Sequence, residues 1–218
     1  MTISQKEIFL QHEGNAWYKR NFAELGDVTK SIVFYENYLK PNDRVLEIGC
    51  SNGYNLNYFH TRVGCECYGI DPSQEAIQEG KMKYPQVLLT VGTADKLNYP
   101  AGFFDFILFG FCLYLTDRQL LTKIIADADR VLKNKAYLGI TDFDSKIPKQ
   151  RPYKHYANVM SYKMDYASLF LAFPHFTLAD KFCYSHNSDQ FVPEINQRIS
   201  SCILYKDFDH AYFSEADS

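Results

Sequence analysis

Three carboxylates, Glu47, Asp71 and Asp95, stand at or after the ends of short apolar stretches that are typical of β-strands. Glu47 precedes loop 49–53, whose two glycines let the backbone turn sharply and approach a ligand closely. The helix expected after this loop would point its free N–H groups at that ligand. Because an acidic residue beside the loop suits a diphosphate poorly, this pattern favours a ligand that carries an ammonium group.

The loop also differs from the fingerprint of dinucleotide-binding proteins. That fingerprint needs glycines at positions 49, 51 and 54, where this chain has Gly49, Ser51 and Tyr54. A carboxylate at the end of the second strand, Asp71, can accept both hydroxyl protons of a ribose. Asp95 could accept an amino proton from an adenine. The residues therefore predict a ligand with ribose and adenine but no pyrophosphate cradle.

The elements that would position these residues alternate between strand and helix. Strands are predicted at 44–48, 67–70, 86–90, 103–109, 136–141, 178–184 and 198–206, and helices at 27–39, 54–60, 74–82, 116–132 and 162–172. Ser73 should cap one helix, Thr116 with Gln119 should form a capping box on another, and 144–151 should be a loop. This order predicts an α/β fold with a mostly parallel sheet, covered by helices on both faces and binding ligands at the carboxyl ends of its strands.

The stretch 45–53, with Asp71, resembles the class I S-adenosylmethionine-dependent methyltransferases. That family has an acidic residue, a Gly-x-Gly-x-Gly loop and a second acidic residue ending strand two. The resemblance covers roughly residues 27–141, and Ser51 departs from it by replacing the middle glycine. It implies one domain over 1–218 with a seven-stranded Rossmann-like sheet of order 3-2-1-4-5-7-6. It also implies a small N-terminal cap at 1–26 and a substrate-side insertion at 142–175.

The same resemblance implies S-adenosylmethionine as cofactor and a set of residues that hold it. The methionine end would meet Glu47 and Gly49, the ribose Asp71, and the adenine Ala94 and Asp95. The full implied set is Glu47, Gly49, Ser51, Gly53, Asp71, Pro72, Ala94, Asp95, Gly110 and Phe111.

Residues for the methyl acceptor are expected in two other segments. We predict substrate-binding side chains before the first long helix and after strand five, at Trp17, Tyr18, Arg20, Asn21, Tyr153, Tyr162 and Lys163. His155 is the predicted general base, because an imidazole is suited to taking a proton near neutral pH, and Tyr114 could face the methyl group. Alternatively, Trp17 and Tyr114 only pack the core, and His155 belongs to a solvated loop. His175 and His186 are expected to be structural or at the surface.

Other classes of protein and site fit less well. Asp142 and Asp144 could suit Mg²⁺, but no third ligand stands out, so no metal is predicted. The 218 residues are 46% hydrophobic and 16% aromatic, which excludes disorder, and a net charge of −3 argues against binding to nucleic acid through bulk positive charge. With neither a signal peptide nor a membrane span apparent, and six scattered cysteines, we expect a cytoplasmic protein with reduced thiols.

These interpretations combine into an expected activity. The protein would transfer a methyl group from S-adenosylmethionine to an oxygen or nitrogen of a small polar metabolite, such as a sugar or surface-polysaccharide precursor. A protein or tRNA acceptor, or a catalytically inactive S-adenosylmethionine-binding partner subunit, are the alternatives. A homodimer is compatible with this interpretation.

Overall fold

A seven-stranded sheet positions every other element of the molecule, whose computed structural model describes residues 4–21, 29–185, 187–188 and 190–212. Strands β1 (Arg44–Ile48), β2 (Glu66–Asp71), β3 (Leu88–Val91), β4 (Phe104–Gly110) and β5 (Leu132–Phe143) are parallel. Two further strands, β8 (Phe176–Ser185) and β9 (Arg198–Lys206), continue the sheet in antiparallel pairing. The spatial order β3-β2-β1-β4-β5-β9-β8 confirms the predicted order and fold class.

Helices cover both faces of this sheet. They are α1 (Gln5–Ile8), α2 (Gly14–Asn21), α3 (Lys30–Glu36), α4 (Tyr54–Val63), α5 (Gln74–Lys83), α6 (Leu121–Val131) and α7 (Ala167–Leu171). A π-helical turn, Phe9–Glu13, joins α1 to α2. Because both faces are covered, the central strands are almost continuously apolar, as in β4, where Phe104, Phe106 and Phe109 are fully buried. One core cluster lies on each side of the sheet.

The segment after β5 differs from the prediction. A separate two-stranded sheet stands there, made of β6 (Lys149–Pro152) and β7 (Met160–Lys163), where a loop and the start of a helix were expected. Burial alternates along β7, with Ser161 and Lys163 buried, and this period of two is that of a strand. Only the short α7 remains of the predicted helix 162–172.

Two predicted helix caps have different outcomes. The Ser73 side chain accepts a hydrogen bond from the Ala76 N–H at 3.1 Å, which confirms it as the cap of α5. The capping box at Thr116 is wrong, because the Thr116 hydroxyl donates to the Leu113 carbonyl at 2.9 Å instead. Helix α6 begins only at Leu121, after a 3₁₀ turn. The predicted helix 27–39 appears as α3, and positions 27 and 28 lie outside the described residues.

The N-terminal segment, which we define as residues 5–21, docks along the carboxyl edge of the sheet. The Gln5 amide donates to the Leu115 carbonyl at 2.9 Å. Further along, the Asn15 side-chain oxygen accepts hydrogen bonds from the Ser73 hydroxyl at 2.9 Å and from the Glu75 N–H at 3.2 Å. The segment is thus held at both of its ends against turns that follow strands. None of the described helices has the length and apolar character needed to cross a membrane.

Candidate active site

Two cavities adjoin at the carboxyl ends of the parallel strands. The first collects Trp17, Gly49, Asp71, Pro72, Ala94, Asp95, Gly110 and Phe111 from the predicted residues. The second collects Trp17, Asn21, Glu47, Gly49, Ser51, Gly110 and Phe111. Because Trp17, Gly49, Gly110 and Phe111 line both, the cavities meet there. The structure therefore brings most of the predicted donor-binding residues to one continuous site.

The loop between β1 and α4 takes its shape from left-handed backbone conformations. Gly49, Ser51 and Gly53 have φ angles of +79°, +50° and +80°. A Cβ on Gly49 would lie 2.8 Å from the Cβ of Cys112, so only glycine fits there. Gly53 lines neither cavity. It precedes α4, where a Cβ would lie 2.9 Å from the Leu89 side chain, so its place in the site is to shape the turn.

Glu47 presents an unsatisfied acceptor to the second cavity. Its side chain is 1% exposed, and its Oε1 accepts from the Asn55 amide at 2.7 Å. Its Oε2 has no hydrogen-bond partner in the described part of the chain, and neither has the Ser51 Oγ or the Asn55 Oδ1. Burial raises the pKa of Glu47 to about 8, and the nearby charge of Asp71 acts in the same direction. Buried acceptors without partners are costly, so this group fits a ligand that donates several hydrogen bonds, as an ammonium does.

Asp71 is fixed by the two turns that it joins. Its Oδ1 accepts from the Ser73 N–H at 2.8 Å and its Oδ2 from the Ser51 N–H at 2.9 Å. Burial raises its pKa to about 6, although both hydrogen bonds oppose this shift. Each carboxylate oxygen retains a further lone pair, so the group can still accept from two hydroxyls of a ligand in the first cavity.

Asp95 is already engaged by neighbours in the first cavity. The Lys6 ammonium lies 3.0 Å from its Oδ2, and the Thr93 hydroxyl donates to its Oδ1 at 2.7 Å. Burial alone would raise the pKa of Asp95, but Thr93 and Lys6 hold it below its usual value. Lys6, Phe9 and Gly14 also line this cavity, and sequence reasoning missed all three.

The predicted substrate residues of the N-terminal segment divide into two groups. Trp17 and Asn21 line the second cavity, and the Asn21 amide donates to the Trp17 carbonyl at 2.8 Å. Tyr18 is buried, accepts from the Asn52 amide at 3.4 Å and lines neither cavity. Arg20 forms an ion pair with the buried carboxylate of Glu13.

Arg20 and Tyr153 come together through Glu13, which the sequence reasoning did not single out. The Tyr153 hydroxyl donates to the Glu13 Oε1 at 3.1 Å and accepts from the Arg20 guanidinium at 3.3 Å. These three side chains join the N-terminal segment to the hairpin of β6 and β7. None of them lines a cavity, so their position supports a joining role.

The second cavity contains polar side chains that were not predicted. The Tyr35 hydroxyl lies 2.8 Å from the Thr141 hydroxyl, which in turn lies 2.9 Å from that of Ser201. Tyr35 and Thr141 line the cavity together with Thr29, Ser31, Tyr54 and Asn55. Tyr35 is part of the apolar pattern of α3, which conceals that its hydroxyl reaches the end of β5.

The two predicted catalytic residues line neither cavity. His155 is exposed between β6 and β7, with its ring 5.3 Å from that of Tyr153. Tyr114 is buried, and its ring packs against Phe111 at 5.0 Å and Phe143 at 5.2 Å. Burial raises the pKa of Tyr114 far above its usual value, so this phenol stays protonated.

Tyr162 and Lys163 also lie outside the cavities. The Arg118 guanidinium lies 4.4 Å from the centre of the Tyr162 ring. The Lys163 ammonium donates to the Asn196 carbonyl at 2.6 Å and lies 3.8 Å from the centre of the Phe143 ring. Both side chains are therefore engaged by partners that line neither cavity.

The acidic pair after β5 serves the fold. Asp142 accepts from the N–H groups of Tyr114 at 3.2 Å and Phe143 at 2.7 Å, and burial raises its pKa to about 7. Asp144 is bound by Lys181 and Arg198, both at 2.8 Å. Across the described ranges, no group of three or more His, Cys, Asp or Glu side chains could hold a metal ion.

His175 lies outside both cavities. His175 is buried, with its Nε2 at 3.3 Å from Asp129 and its ring stacked on Phe208 at 4.1 Å. His186 lies outside the described residues.

Comparison with known families places this geometry. Residues 45–135 match the family model described as a methyltransferase domain. Solved S-adenosylmethionine-dependent methyltransferases share the fold of this chain, one from Methanosarcina mazei with a TM-score of 0.65 at 19% identity. The matched stretch, the methyltransferase domain of the family model, runs from β1 into β5 and contains Glu47, Asp71 and Asp95.

Relatives support the domain and leave the acceptor open. An uncharacterized methyltransferase of Synechocystis sp. is 28% identical over 104 residues, which are 48% of this chain and 49% of that protein. The ribosomal protein L11 methyltransferase of Thermotoga neapolitana is 25% identical over 141 residues, 62% of this chain and 51% of that protein. The chain thus spans about half the length of the curated relatives it matches.

Solved structures share the fold of the whole chain. The 1,6-didemethyltoxoflavin-N1-methyltransferase of Burkholderia thailandensis superimposes with a TM-score of 0.71 at 16% identity, covering 95% of this chain and 92% of that one. Its structure contains 1,6-didemethyltoxoflavin and S-adenosylhomocysteine. At this identity the likeness shows a common fold, in which the second cavity borders the methyltransferase domain through Gly49, Gly110 and Phe111.

Proposed function

We propose that this chain transfers a methyl group from S-adenosylmethionine to an oxygen or nitrogen of a small polar metabolite, such as a sugar or surface-polysaccharide precursor. The observation that carries the proposal is the second cavity. It is lined by hydroxyl and amide groups and meets the first cavity at Gly49, Gly110 and Phe111. A donor in the first cavity would extend to Glu47 at the wall of the second, and a small acceptor in the rest of the second cavity would lie directly beside it.

The donor would be held by the three carboxylates. Bound S-adenosylmethionine supplies a methyl group activated by its sulfonium. Asp71, whose oxygens keep free lone pairs, would accept from the ribose hydroxyls. Glu47 would accept from the ammonium through its unpaired Oε2. Asp95, with Ala94, would border the adenine, oriented by Lys6.

The acceptor would be positioned by groups outside the methyltransferase domain. Trp17 offers an apolar wall, and the hydroxyls of Tyr35 and Thr141 offer hydrogen bonds. Methyl transfer is an in-line displacement, in which the main task of the protein is to hold the nucleophile in line with the methyl group. A general base is needed only for a hydroxyl or a protonated amine, and the exposed His155 is not required by this arrangement.

A protein acceptor is the second candidate. The relatives named as ribosomal protein L11 methyltransferases favour it, since they share 141 aligned residues with this chain. The hydroxyl and amide groups along the second cavity favour the small acceptor, because a protein side chain would have to enter this cavity from outside. The cytoplasmic location and the homodimer stay predictions, and the location is supported by six cysteines that are all free of disulfides.

The test has two stages. First, isothermal titration with millimolar S-adenosylmethionine should give saturable binding, and a flat titration would contradict the proposal. Second, S-adenosylhomocysteine release should be measured with a panel of nucleotide sugars and other small polar metabolites, and with ribosomal protein L11. Turnover with the ribosomal protein alone would favour the second candidate.

A matched pair of variants tests the second cavity. Tyr35→Phe removes a hydroxyl that lines the cavity, whereas Tyr38→Phe removes one that donates to Asp180 at 2.8 Å outside it. We expect Tyr35→Phe to raise the KM for the acceptor without changing donor affinity, and Tyr38→Phe to change neither. Equal effects of both variants would argue against an acceptor in this cavity.

A further inference from the structure

Positive charge is concentrated on one hairpin of an otherwise acidic chain. Residues 145–164 contain five basic side chains and no acidic one: Lys146, Lys149, Arg151, Lys154 and Lys163. The rest of the chain has 18 of the 23 basic residues against all 26 acidic ones. The five cations lie on β6, on β7 and on the residues beside these strands.

These five cations have no acidic partner among the described residues, where ion pairs are otherwise frequent. The carboxylates at the two ends of the hairpin are engaged elsewhere. Asp144 is bound by Lys181 and Arg198, each at 2.8 Å, and Asp165 lies 4.0 Å from the same Lys181. The hairpin therefore keeps its positive charge.

Three of the cations converge on one face of the hairpin. Lys149 lies directly opposite Lys163 in the strand register, and Arg151 lies opposite Ser161 two pairs further along. Both lysine ammoniums donate to Asn196. Lys149 donates to the side-chain oxygen of Asn196 at 2.6 Å, and Lys163 donates to its backbone carbonyl at 2.6 Å. The Arg151 guanidinium donates to the Ser161 hydroxyl at 3.3 Å on the same face.

This arrangement works against the stability of the hairpin. Like charges directly opposite one another destabilise a pair of strands. Burial, together with the charges of Arg151 and Lys149, lowers the pKa of Lys163 to about 8. In the described structure these three cations donate hydrogen bonds to neutral oxygen atoms of Asn196 and Ser161. An anion between them would remove the repulsion.

We propose that Lys149, Arg151 and Lys163 form a binding site for a phosphate group carried by the methyl acceptor. A guanidinium fork beside ammonium groups is the donor set that phosphate oxygens bind best. Lys163 lies 3.8 Å from the Phe143 ring, which packs at 5.1 Å against Phe111, a wall of both cavities. The rings of Phe143 and Phe111 therefore connect the anion site to the walls of both cavities.

This inference rests on the proposed function and narrows its substrate class. The acceptor would be a phosphorylated or nucleotide-linked small molecule, with its methylated part in the second cavity and its phosphate at the hairpin. The compact face formed by Lys149, Arg151 and Lys163 suits one phosphate group. A nucleic-acid backbone would instead need cations spread along a track, and this alternative is separated by the test.

The test measures anion binding apart from catalysis. The full chain is titrated with inorganic pyrophosphate and followed by calorimetry. The variant Lys149→Gln with Arg151→Gln changes two exposed side chains, so it should fold normally. The matched control, Lys146→Gln with Lys154→Gln, removes the same charge from exposed positions outside the converging face. We expect the first pair to weaken pyrophosphate binding about tenfold or more and the control less than about twofold.

Three results would overturn the proposal. The first is that the wild type shows no saturable binding of pyrophosphate. The second is that both double variants lose pyrophosphate affinity equally. The third is that a short RNA binds more tightly than pyrophosphate and that both double variants lose RNA affinity equally. Titration of S-adenosylmethionine on the same samples separates the two proposals. Donor binding should be unchanged in both double variants, and a wild type that binds pyrophosphate but no donor would remove the proposed function alone.

Discussion

Replacing Glu47 with glutamine removes an ionisable carboxyl that the fold buries at considerable cost. The side chain is 1% exposed, and one of its oxygens has no hydrogen-bond partner among the described residues. Its pKa is raised to about 8 by burial, so near neutral pH the group is mostly protonated in the absence of ligand. Glutamine has nearly the same shape and does not ionise. The variant therefore isolates the ionisation of this one side chain.

The stability of the wild type should fall with rising pH relative to that of the variant. Folding raises the pKa of Glu47 from 4.5 to about 8, so the folded chain retains a proton that the unfolded chain has lost between these values. The contribution of Glu47 to the free energy of unfolding is complete below pH 4.5 and declines as pH rises towards 8. The decline is about 1.4 kcal/mol per pH unit and at most about 5 kcal/mol in total.

Other buried carboxyls do not obscure this comparison. Asp71 and Asp142, with pKa values raised by burial to about 6 and about 7, add declines of the same sign in both proteins. These contributions cancel in the difference between wild type and Glu47→Gln. Urea unfolding should be measured at pH 5, 6, 7 and 8. The difference in the free energy of unfolding between the two proteins should grow with pH in favour of the variant.

Donor affinity should change with pH in the opposite direction. If the ammonium of S-adenosylmethionine binds the ionised Glu47, binding below pH 8 must release one proton from this carboxyl. Affinity should therefore rise about tenfold per pH unit towards pH 8, and then fall as the ammonium, with a pKa near 8, is itself deprotonated. For Glu47→Gln the rising limb should disappear, and at pH 8 binding should be about 10 to 100 times weaker.

Calorimetry in buffers of different ionisation enthalpy measures the released proton directly. Release of nearly one proton at pH 7 in the wild type and none in the variant is the expected result. The reasoning is refuted if wild-type affinity is flat between pH 6 and 8 and the variant binds equally well, because Glu47 would then not contact the donor.

Three further changes test other parts of the site. Asp71→Ala should weaken donor binding by about 1.5–3 kcal/mol, the range for lost charge-assisted hydrogen bonds, as measured by calorimetry. His155→Ala should leave turnover within about twofold of wild type in an S-adenosylhomocysteine release assay, since its ring is exposed and lines neither cavity. Glu13→Ala should lower the free energy of unfolding by about 2–3 kcal/mol in urea, because it leaves Arg20 without its buried partner.

Each change has a contrary outcome, and Glu13→Ala has a matched control. An unchanged donor affinity in Asp71→Ala would make this residue a turn residue only. A loss of about 100-fold or more in His155→Ala would return it to the mechanism as a base. For Glu13→Ala the control is Glu75→Ala, which breaks the exposed pair with Lys19 and should cost less than about 0.5 kcal/mol. Equal costs would show that the burial of Glu13 has no energetic consequence.

The sheet and much of the lining of the first cavity could be predicted because the sequence patterns that indicate them are local. Glu47 and loop 49–53 adjoin in sequence, and parallel strands bring their carboxyl ends to one edge whatever the connections between them. Lys6 gives no such signal, since its partner Asp95 lies 89 positions away and only the docking of the N-terminal segment joins them. Thr141 and Tyr35 are likewise separated by 106 positions.

The segment after β5 was predicted less well because it consists of short, polar elements. The strands β6 and β7 have four residues each, and their alternation is too brief to distinguish from a loop or a helix start. His155 was favoured because imidazole is a common general base, but its side chain is exposed between β6 and β7 and lines neither cavity. The chemistry of a side chain therefore indicated a role that its position does not support.

The left-handed conformation of Ser51 has a consequence for how this loop can evolve. A non-glycine residue pays roughly 1 kcal/mol or more for such a backbone, and here the Ser51 N–H is held in place by the Asp71 carboxylate at 2.9 Å. The shape of the loop is therefore maintained from the neighbouring strand rather than by a glycine at its centre. We expect position 51 to tolerate other small residues while Asp71 is present. Without Asp71, we expect it to require a glycine.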